Sequence, residues 1–180
     1  MPDIVVDAAR YPIGRFERPS RAMSHADVLA QLDVLAALPA QLRTAVAGLT
    51  DAQLDTPYRD GGWTLRQVVH HLADSHQHMA IRVRFALTLD TPAILAYDEQ
   101  AWAMLPDAHA HDIEPSLAIV DGVHARLVAL LRTQPAEAFA RRFVHPENGE
   151  QRLGIVTALY AWHSRHHLAH VTRLREAKGW

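Results

Sequence analysis

The chain is organised around a histidine-rich stretch near its C-terminus, Trp162-His163-Ser164-Arg165-His166-His167-Leu168-Ala169-His170. Four of these nine residues are histidine. On a helix, residues four positions apart lie on one face, with their Cβ atoms roughly 5–6 Å apart. Two imidazoles with that spacing can bind one divalent metal ion at about 2.0–2.1 Å per nitrogen. The stretch contains two such pairs, His163 with His167 and His166 with His170.

Helical periodicity favours the pair His163 and His167. At about 100° per residue, the apolar positions of this region centre on one stripe. They are Val156, Leu159, Val171 and Leu174. His163 and His167 straddle the middle of that stripe, whereas His166 lies on its margin. Because a charged imidazole on a buried face costs free energy, we favour a metal ion over two packed, hydrogen-bonded histidines as the explanation for the pair.

The composition indicates one ordinary globular domain, residues 1–180. A chain of this length, with 49% hydrophobic residues and a formal net charge of −2, can bury a single core. There is no basic excess that would indicate nucleic acid, and no apolar run approaches the roughly 18 residues of a membrane span. Residues 1–7 lack the pattern of a signal peptide, so we expect a cytoplasmic protein. Cysteine is absent, so any metal ligands must be His, Asp, Glu or water.

Four long amphipathic segments with almost no strand pattern predict an all-α protein, a four-helix bundle. The segments cover residues 24–49, 64–90, 115–132 and 153–177. Residues Thr64 to Gln67 match a capping box, so the second helix is expected to start at Thr64. Pro39 lies inside the first segment, which is therefore either one kinked helix or two helices that meet there.

The connecting segments are predicted to contain short extra helices. Residues 1–23 have the composition of an extended N-terminal arm with turns. Thr50 could cap a short turn through Leu54, and one short helix is expected from Asp98 to Leu105. Asn148-Gly149 indicates a loop or a small hairpin. Because loops of about 20 residues are too long for the simplest bundle, we expect them to be partly helical and to cover one end.

A third metal ligand has to come from another helix, because a zinc-like ion takes three or four protein ligands. The second helix contains four histidines, His70, His71, His76 and His78. His70 points about opposite the apolar face. His71 and His78 lie at the edge of that face, and His76 lies well inside it. Spacing alone leaves His71 and His76 as equal candidates.

Motifs along the whole chain carry a resemblance to a known family. They are Gly-Gly-Trp-Thr-Leu-Arg-Gln-Val-Val-His-His-Leu-Ala-Asp-Ser-His (61–76), the stretch 162–170, Tyr-Pro-Ile-Gly (11–14), Leu-Asp-Thr-Pro-Tyr-Arg-Asp-Gly-Gly-Trp (54–63), Tyr-Asp-Glu (97–99) and the terminal Gly-Trp. The sequence resembles the DinB/YfiT-like family, and most closely its YfiT-like branch, described as metal-dependent hydrolases. That resemblance implies a four-helix bundle with a metal bound by three histidines. Matched residue by residue, these ligands are His71, His163 and His167.

Three histidines with a fourth position left for water would form a catalytic site rather than a closed structural one. The first interpretation is therefore a metal-dependent hydrolase that acts through activated water on a small-molecule substrate. The second is transfer of a low-molecular-weight thiol, because the bacillithiol and mycothiol S-transferases resemble this fold. The third is a structural or sensing metal site in a helical dimer. The resemblance implies one zinc or nickel ion per chain, and we expect a homodimer with no nucleic-acid or membrane partner.

The sequence does not identify a general base. Asp74 lies three residues after His71 and is the candidate for a base or for a group that orients that histidine, although such residues are more often solvated or ion-paired. Tyr58-Arg59-Asp60 either lines the pocket or braces the turn at Gly61-Gly62. His124, on the third long helix, is expected to be structural or exposed.

Overall fold

The computed structural model describes residues 8–180, within which four long helices form the bundle. Its elements in chain order are α1 (His25–Val46), α2 (Asp51–Leu54), α3 (Leu65–Thr88), α4 (Glu99–Ala103), α5 (Pro106–Ala110), α6 (Glu114–Arg132), a 3₁₀ helix (Ala136–Ala140), β1 (Arg142–His145), β2 (Gly149–Arg152) and α7 (Leu153–Lys178). The all-α four-helix bundle with short helices in its connections is confirmed. Residues 1–7 of the expected arm, and hence part of the domain 1–180, lie outside the described residues.

Local sequence explains most of the helix ends. The Thr64 side chain accepts from the Gln67 N–H, and the Gln67 side chain accepts from the Thr64 N–H, so the expected capping box starts α3. The short helix expected from Asp98 to Leu105 is present as α4, with Asp98 at its N-cap. A second short helix, α5, was not expected, and it is separated from α4 at Leu105, whose ψ of 153° is extended. Pro106 disfavours a helical conformation at the residue before it, which accounts for the break.

The long helices pack in a square arrangement. Helices α6 and α7 each contact both α1 and α3, so α1 and α3 stand diagonally across the bundle. The hairpin has β1 antiparallel to β2, with His145 paired to Gly149, and it packs against α3 and α7. None of the helices within residues 8–180 combines the length and apolarity needed to cross a lipid bilayer.

The core has two apolar clusters with a polar layer between them. On α3, Leu72 belongs to one cluster and Met79 to the other, and on α6 the same division separates Val120 from Leu127. Buried histidines lie between the two clusters on α3, α6 and α7, namely His71, His76, His124 and His167. Burying imidazoles without partners is unfavourable, so this layer has to be satisfied by hydrogen bonds or a ligand.

Pro39 lies inside α1, which continues through it as one helix, so the alternative of two helices is wrong. Proline has no N–H and therefore cannot donate to the carbonyl four residues earlier, which belongs to Leu35. The His124 side chain occupies that carbonyl instead, with Nδ1 at 2.6 Å from the Leu35 oxygen. The Leu35 carbonyl thus accepts its hydrogen bond from a side chain of α6 instead of from the backbone of α1.

Candidate metal centre

The structure brings together the three histidines His71, His163 and His167, which we call the histidine triad. Each residue offers one nitrogen, and the three nitrogens lie within 4.8 Å of one another. The Nε2 atoms of His71 and His163 are 3.1 Å apart. Two nitrogens bound at about 2.0–2.1 Å to one tetrahedral ion are roughly 3.3 Å apart. The spacing of the triad therefore fits the donor set of a single metal ion.

Helix geometry places these side chains. His163 and His167 are one turn apart on α7, with ring centroids 4.4 Å apart. Helix α3 packs directly against α7 and carries His71 to the same place, with its ring centroid 4.8 Å from that of His167. The site is thus formed where two long helices face each other, which holds the ligands on rigid backbone.

Burial keeps the triad in the form that binds metals. Burial, together with a smaller effect of the neighbouring His166, lowers the pKa of His71 to about 4. Burial, followed by the neighbouring imidazoles, also holds the pKa of His163 and that of His167 well below the usual histidine value. Near neutral pH the three rings are therefore uncharged, and each has a lone pair available for a metal ion.

The triad opens into a cavity of about 660 Å³. Helices α3 and α7, the hairpin, α4 and the N-terminal arm all contribute to its walls. Trp63 forms one wall beside the triad, with its ring nearly parallel to that of His167 at an angle of 14°. Its Nε1–H donates to Gln100 at 3.0 Å, which ties the loop before α3 to α4. The connecting segments therefore form part of the wall of the space next to the triad.

His166 and His170 form a second group with His167, because one nitrogen of each also lies within 4.8 Å of the others. Neither residue lines the 660 Å³ cavity. His170 lines a smaller cavity of about 300 Å³, where Tyr58 stacks on it with ring centroids 3.9 Å apart. The Nδ1 of His170 lies 3.4 Å from His167 Nδ1, so His170 contacts the His167 ring at that nitrogen. Of the two pairs on α7, only His163 and His167 face the larger cavity.

The other histidines of α3 have separate positions. His76 is fully buried, with its Nε2 at 3.2 Å from Nδ1 of His163, on the opposite side of that ring from His71. His70 points away from the triad, as predicted, but it is half-buried against α6 rather than free in solvent. Its Nδ1 lies 2.7 Å from the Ser116 hydroxyl. His124 is only 1% exposed, so the structural alternative for it is correct and the exposed one is wrong.

Asp74 lies apart from the triad. It does not line the 660 Å³ cavity, and the residues that group within metal-binding distance do not include it. Burial and the charge of Asp107 raise the pKa of its carboxyl, while His78 lowers it. Three residues along a helix leave a net displacement of about 60° around its axis, and the effect of Asp107 on the Asp74 pKa indicates that this carboxyl lies on the side of α5.

Sequence reasoning missed several polar side chains in the cavity wall. Arg82 lies there, and its guanidinium donates to the Tyr160 hydroxyl at 3.5 Å and to the Leu95 carbonyl at 3.1 Å. It stands eleven residues after His71, close to three full turns of helix, so the helical period was a signal that could have found it. Glu99 of α4 also lines the wall, and it belongs to the motif Tyr-Asp-Glu (97–99), for which the sequence indicated no role.

Known proteins resemble this chain over almost its full length. The family model of the DinB superfamily matches residues 34–171. A Bacillus subtilis protein named "Putative metal-dependent hydrolase YfiT" is 49% identical over 171 residues, which cover 94% of this chain and 96% of that protein. A Geobacillus kaustophilus protein named "Putative metal-dependent hydrolase GK0616" is 48% identical over 177 residues, covering 97% and 98% of the two chains.

Solved structures show the same fold. The structure of YfiT from Bacillus subtilis, described as a probable metal-dependent hydrolase with an unusual four-helix bundle topology, matches with a TM-score of 0.92. The two are 48% identical, and the match covers 96% of this chain and 99% of that one. The four-helix bundle protein TT2238 matches with a TM-score of 0.52 at 26% identity, over 77% of this chain and 93% of that one.

Proposed function

Because the chain belongs to the DinB superfamily, we propose that it is a metal-dependent hydrolase in which His71, His163 and His167 bind one divalent ion. The observation that supports this most directly is the 3.1 Å separation of two Nε2 atoms that come from different helices. Two neutral imidazoles so close together leave little room for anything but a shared proton or a shared ion. The large cavity beside them gives a substrate access to that ion.

The donor set suits zinc or nickel. Neutral imidazole nitrogens bind both ions well, and the sequence has no cysteine that would favour a softer site. Three protein ligands would leave one position for water, and a zinc-like ion held there would lower the pKa of that water to about 7 and polarise a carbonyl. The triad would hold the ion, while Trp63 and the connecting segments form part of the cavity wall beside it.

The cavity wall supports a small substrate that carries an anionic or strongly polar group. Arg82 contributes a guanidinium to this wall, and its Nε is buried without a hydrogen-bond partner among residues 8–180. The Tyr160 hydroxyl stands beside it. Carboxylates and phosphates form strong hydrogen bonds with such a group. We therefore propose that Arg82 binds the end of the substrate that does not react.

Transfer of a low-molecular-weight thiol is the second candidate reaction, and it uses the same triad. The cavity volume of about 660 Å³ supports it, because this space can hold a thiol together with a second small reactant. In that reaction the ion would lower the pKa of the thiol instead of that of water. The homodimer and the cytoplasmic location stay predictions.

Metal analysis combined with a reactivity screen tests these proposals. Purified protein should contain close to one zinc or nickel ion per chain, and His163→Ala should lose it while His70→Ala keeps it. In the cobalt-substituted protein, azide or a small thiol should change the visible spectrum, because one position is open. A spectrum that responds to neither would show a closed structural site and exclude both reactions. Hydrolysis of a panel of esters and amides, measured against thiol transfer to a panel of electrophiles, then separates the two.

A further inference from the structure

A chain of hydrogen-bonded groups crosses the bundle behind His163. The Leu35 carbonyl lies 2.6 Å from His124 Nδ1, His124 Nε2 lies 2.8 Å from His76 Nδ1, and His76 Nε2 lies 3.2 Å from His163 Nδ1. We call these four groups the histidine relay. They come from α1, α6, α3 and α7 in turn, so each of the four long helices contributes one group.

The chemistry of its first group fixes the direction of the relay. A carbonyl oxygen only accepts hydrogen bonds, so His124 must carry its proton on Nδ1. A neutral imidazole has one donor and one acceptor, which makes His124 Nε2 an acceptor and His76 Nδ1 a donor. The same reasoning makes His76 Nε2 an acceptor for a proton on His163 Nδ1. Every ring in the relay therefore has its proton on Nδ1.

The rings in the middle of the relay are sealed from water. His76 is 0% exposed and His124 is 1% exposed, so water cannot replace a missing partner. A charged imidazolium at His76 would present N–H groups on both sides, so its Nε2–H would face the Nδ1–H of His163 and neither of these two donors would have an acceptor. Burial disfavours the charged form as well. The neutral arrangement is the one in which every nitrogen is paired.

Pro39 makes the first group of the relay available. In an uninterrupted helix, the Leu35 carbonyl would accept from the backbone N–H of residue 39. Proline has no N–H at that position, and its ring crowds the carbonyl four residues earlier. The Leu35 carbonyl is therefore free to accept from His124, although it lies inside α1. A proline that is unfavourable by helix propensity thus has a defined partner across the bundle.

We propose that His76 and His124 are positioning residues that hold His163 in the tautomer with Nε2 unprotonated and directed at the metal. This inference rests on the proposed function, because His163 acts there as a ligand. With the proton of His163 fixed on Nδ1, its lone pair faces His71 Nε2 at 3.1 Å. The metal ligand is thereby prepared before the ion arrives. Groups that hydrogen-bond to ligating histidines typically change metal affinity by 10–100-fold when they are removed.

The relay also explains why His76 is not a ligand itself. Its Nε2 is committed to Nδ1 of His163 and its Nδ1 to His124, so neither nitrogen faces the space shared by the triad. His163 lies between the two histidines of α3, with His71 against one ring nitrogen and His76 against the other. His71 would bind the ion beside His163, and His76 orients the His163 ring.

Nitrogen-15 NMR of the metal-free protein tests the relay directly. Long-range ¹H–¹⁵N spectra distinguish the two neutral tautomers of each histidine. We expect His124, His76 and His163 all to carry the proton on Nδ1. A wild-type His163 with its proton on Nε2 would overturn the proposal, even if the protein binds metal normally. Because this measurement needs neither a variant nor a metal ion, it remains valid if the proposed hydrolase activity is not found.

Variants of His76 test the effect on the metal. His76→Leu removes both hydrogen bonds at similar volume, and we expect zinc affinity, measured by competition with a chromophoric chelator, to fall by about 10–100-fold. His76→Gln keeps one donor and one acceptor and should recover most of that loss. His70→Leu is the matched control, because His70 lies on the same helix but bonds to Ser116.

A purely structural role for the relay would give different results. In that case His76→Leu and His76→Gln would reduce stability alike, and the zinc affinity of the folded protein would stay at the wild-type level. That result would overturn the proposal. If His76→Leu does not fold, His124→Gln and the wild-type tautomers still decide it. His124→Gln should retain a donor for the Leu35 carbonyl and an acceptor for His76, and therefore the Nδ1 proton of His163.

Discussion

Replacement of His71 by alanine should uncouple metal binding from the stability of the bundle. His71 is the ligand that we propose from α3, while His163 and His167 both belong to α7. A bound ion would therefore link two helices in the wild-type protein. Because the three ligands come together only in the folded chain, a bound ion would raise the free energy of unfolding. His71→Ala leaves two ligands on a single helix, which removes this link.

The size of the effect follows from mass action. At a zinc concentration of about 100 times Kd, binding adds about 2.7 kcal/mol to the free energy of unfolding. For a chain of this size each kcal/mol raises Tm by about 2–4 °C, so the wild-type Tm should rise by about 5–11 °C. At the same zinc concentration, we expect zinc to add less than about 0.5 kcal/mol to the free energy of unfolding of His71→Ala, because the affinity of this variant should be too low for the site to fill.

Differential scanning calorimetry with and without zinc measures this gain. Each variant is compared with its own metal-free form, since removal of a buried side chain also lowers the starting Tm. His70→Ala serves as the control on the same helix and should keep the wild-type gain, because its ring faces Ser116. An undiminished zinc-induced rise in Tm for His71→Ala would refute the assignment of this residue as a ligand.

Three further results are expected. In the metal-free protein, burial lowers the pKa of His71, His166 and His170 from 6.5 to about 4, so the unfolded chain binds more protons in this interval. The free energy of unfolding, measured with urea, should therefore be highest above pH 6.5 and fall as the pH decreases toward about 4; a flat profile would contradict this. Arg82→Gln should raise KM by roughly tenfold or more with little change in kcat, because it removes a charged hydrogen-bond donor, whereas a selective loss of kcat would place Arg82 at the reacting atoms. Arg66→Met should lower the free energy of unfolding, measured in urea titrations, by about 1–3 kcal/mol. The reason is that the buried guanidinium donates to Asp55, Asp51 and the His111 carbonyl. An unchanged free energy of unfolding would show that these hydrogen bonds do not stabilise the fold.

The sequence by itself determined the helices, because their signals are local. Apolar residues recur with the helical period, and side chains such as Thr64 satisfy the free N–H groups of the first turn. The signal at Asn148-Gly149 is local as well, although it left a loop and a small hairpin open. The structure has the hairpin, and Gly149 has the left-handed φ of 64° that its turn requires. These features depend on residues a few positions apart. The pairing of His163 with His167 on one face of α7 is local in the same sense.

Only the tertiary structure decided how the remaining histidines are used. Helical spacing left His71 and His76 as equal candidates for the third ligand. Both contact His163, but at different nitrogens of its ring. Which nitrogen each one meets depends on the depth and rotation at which α3 packs against α7. Whether Pro39 divides α1 into two helices could not be predicted for the same reason. The donor that replaces its N–H belongs to His124, 89 residues away from Leu35. Periodicity fixes which residues share a face, but the register between two faces is set by side-chain packing across the core, and that register determines which atoms meet.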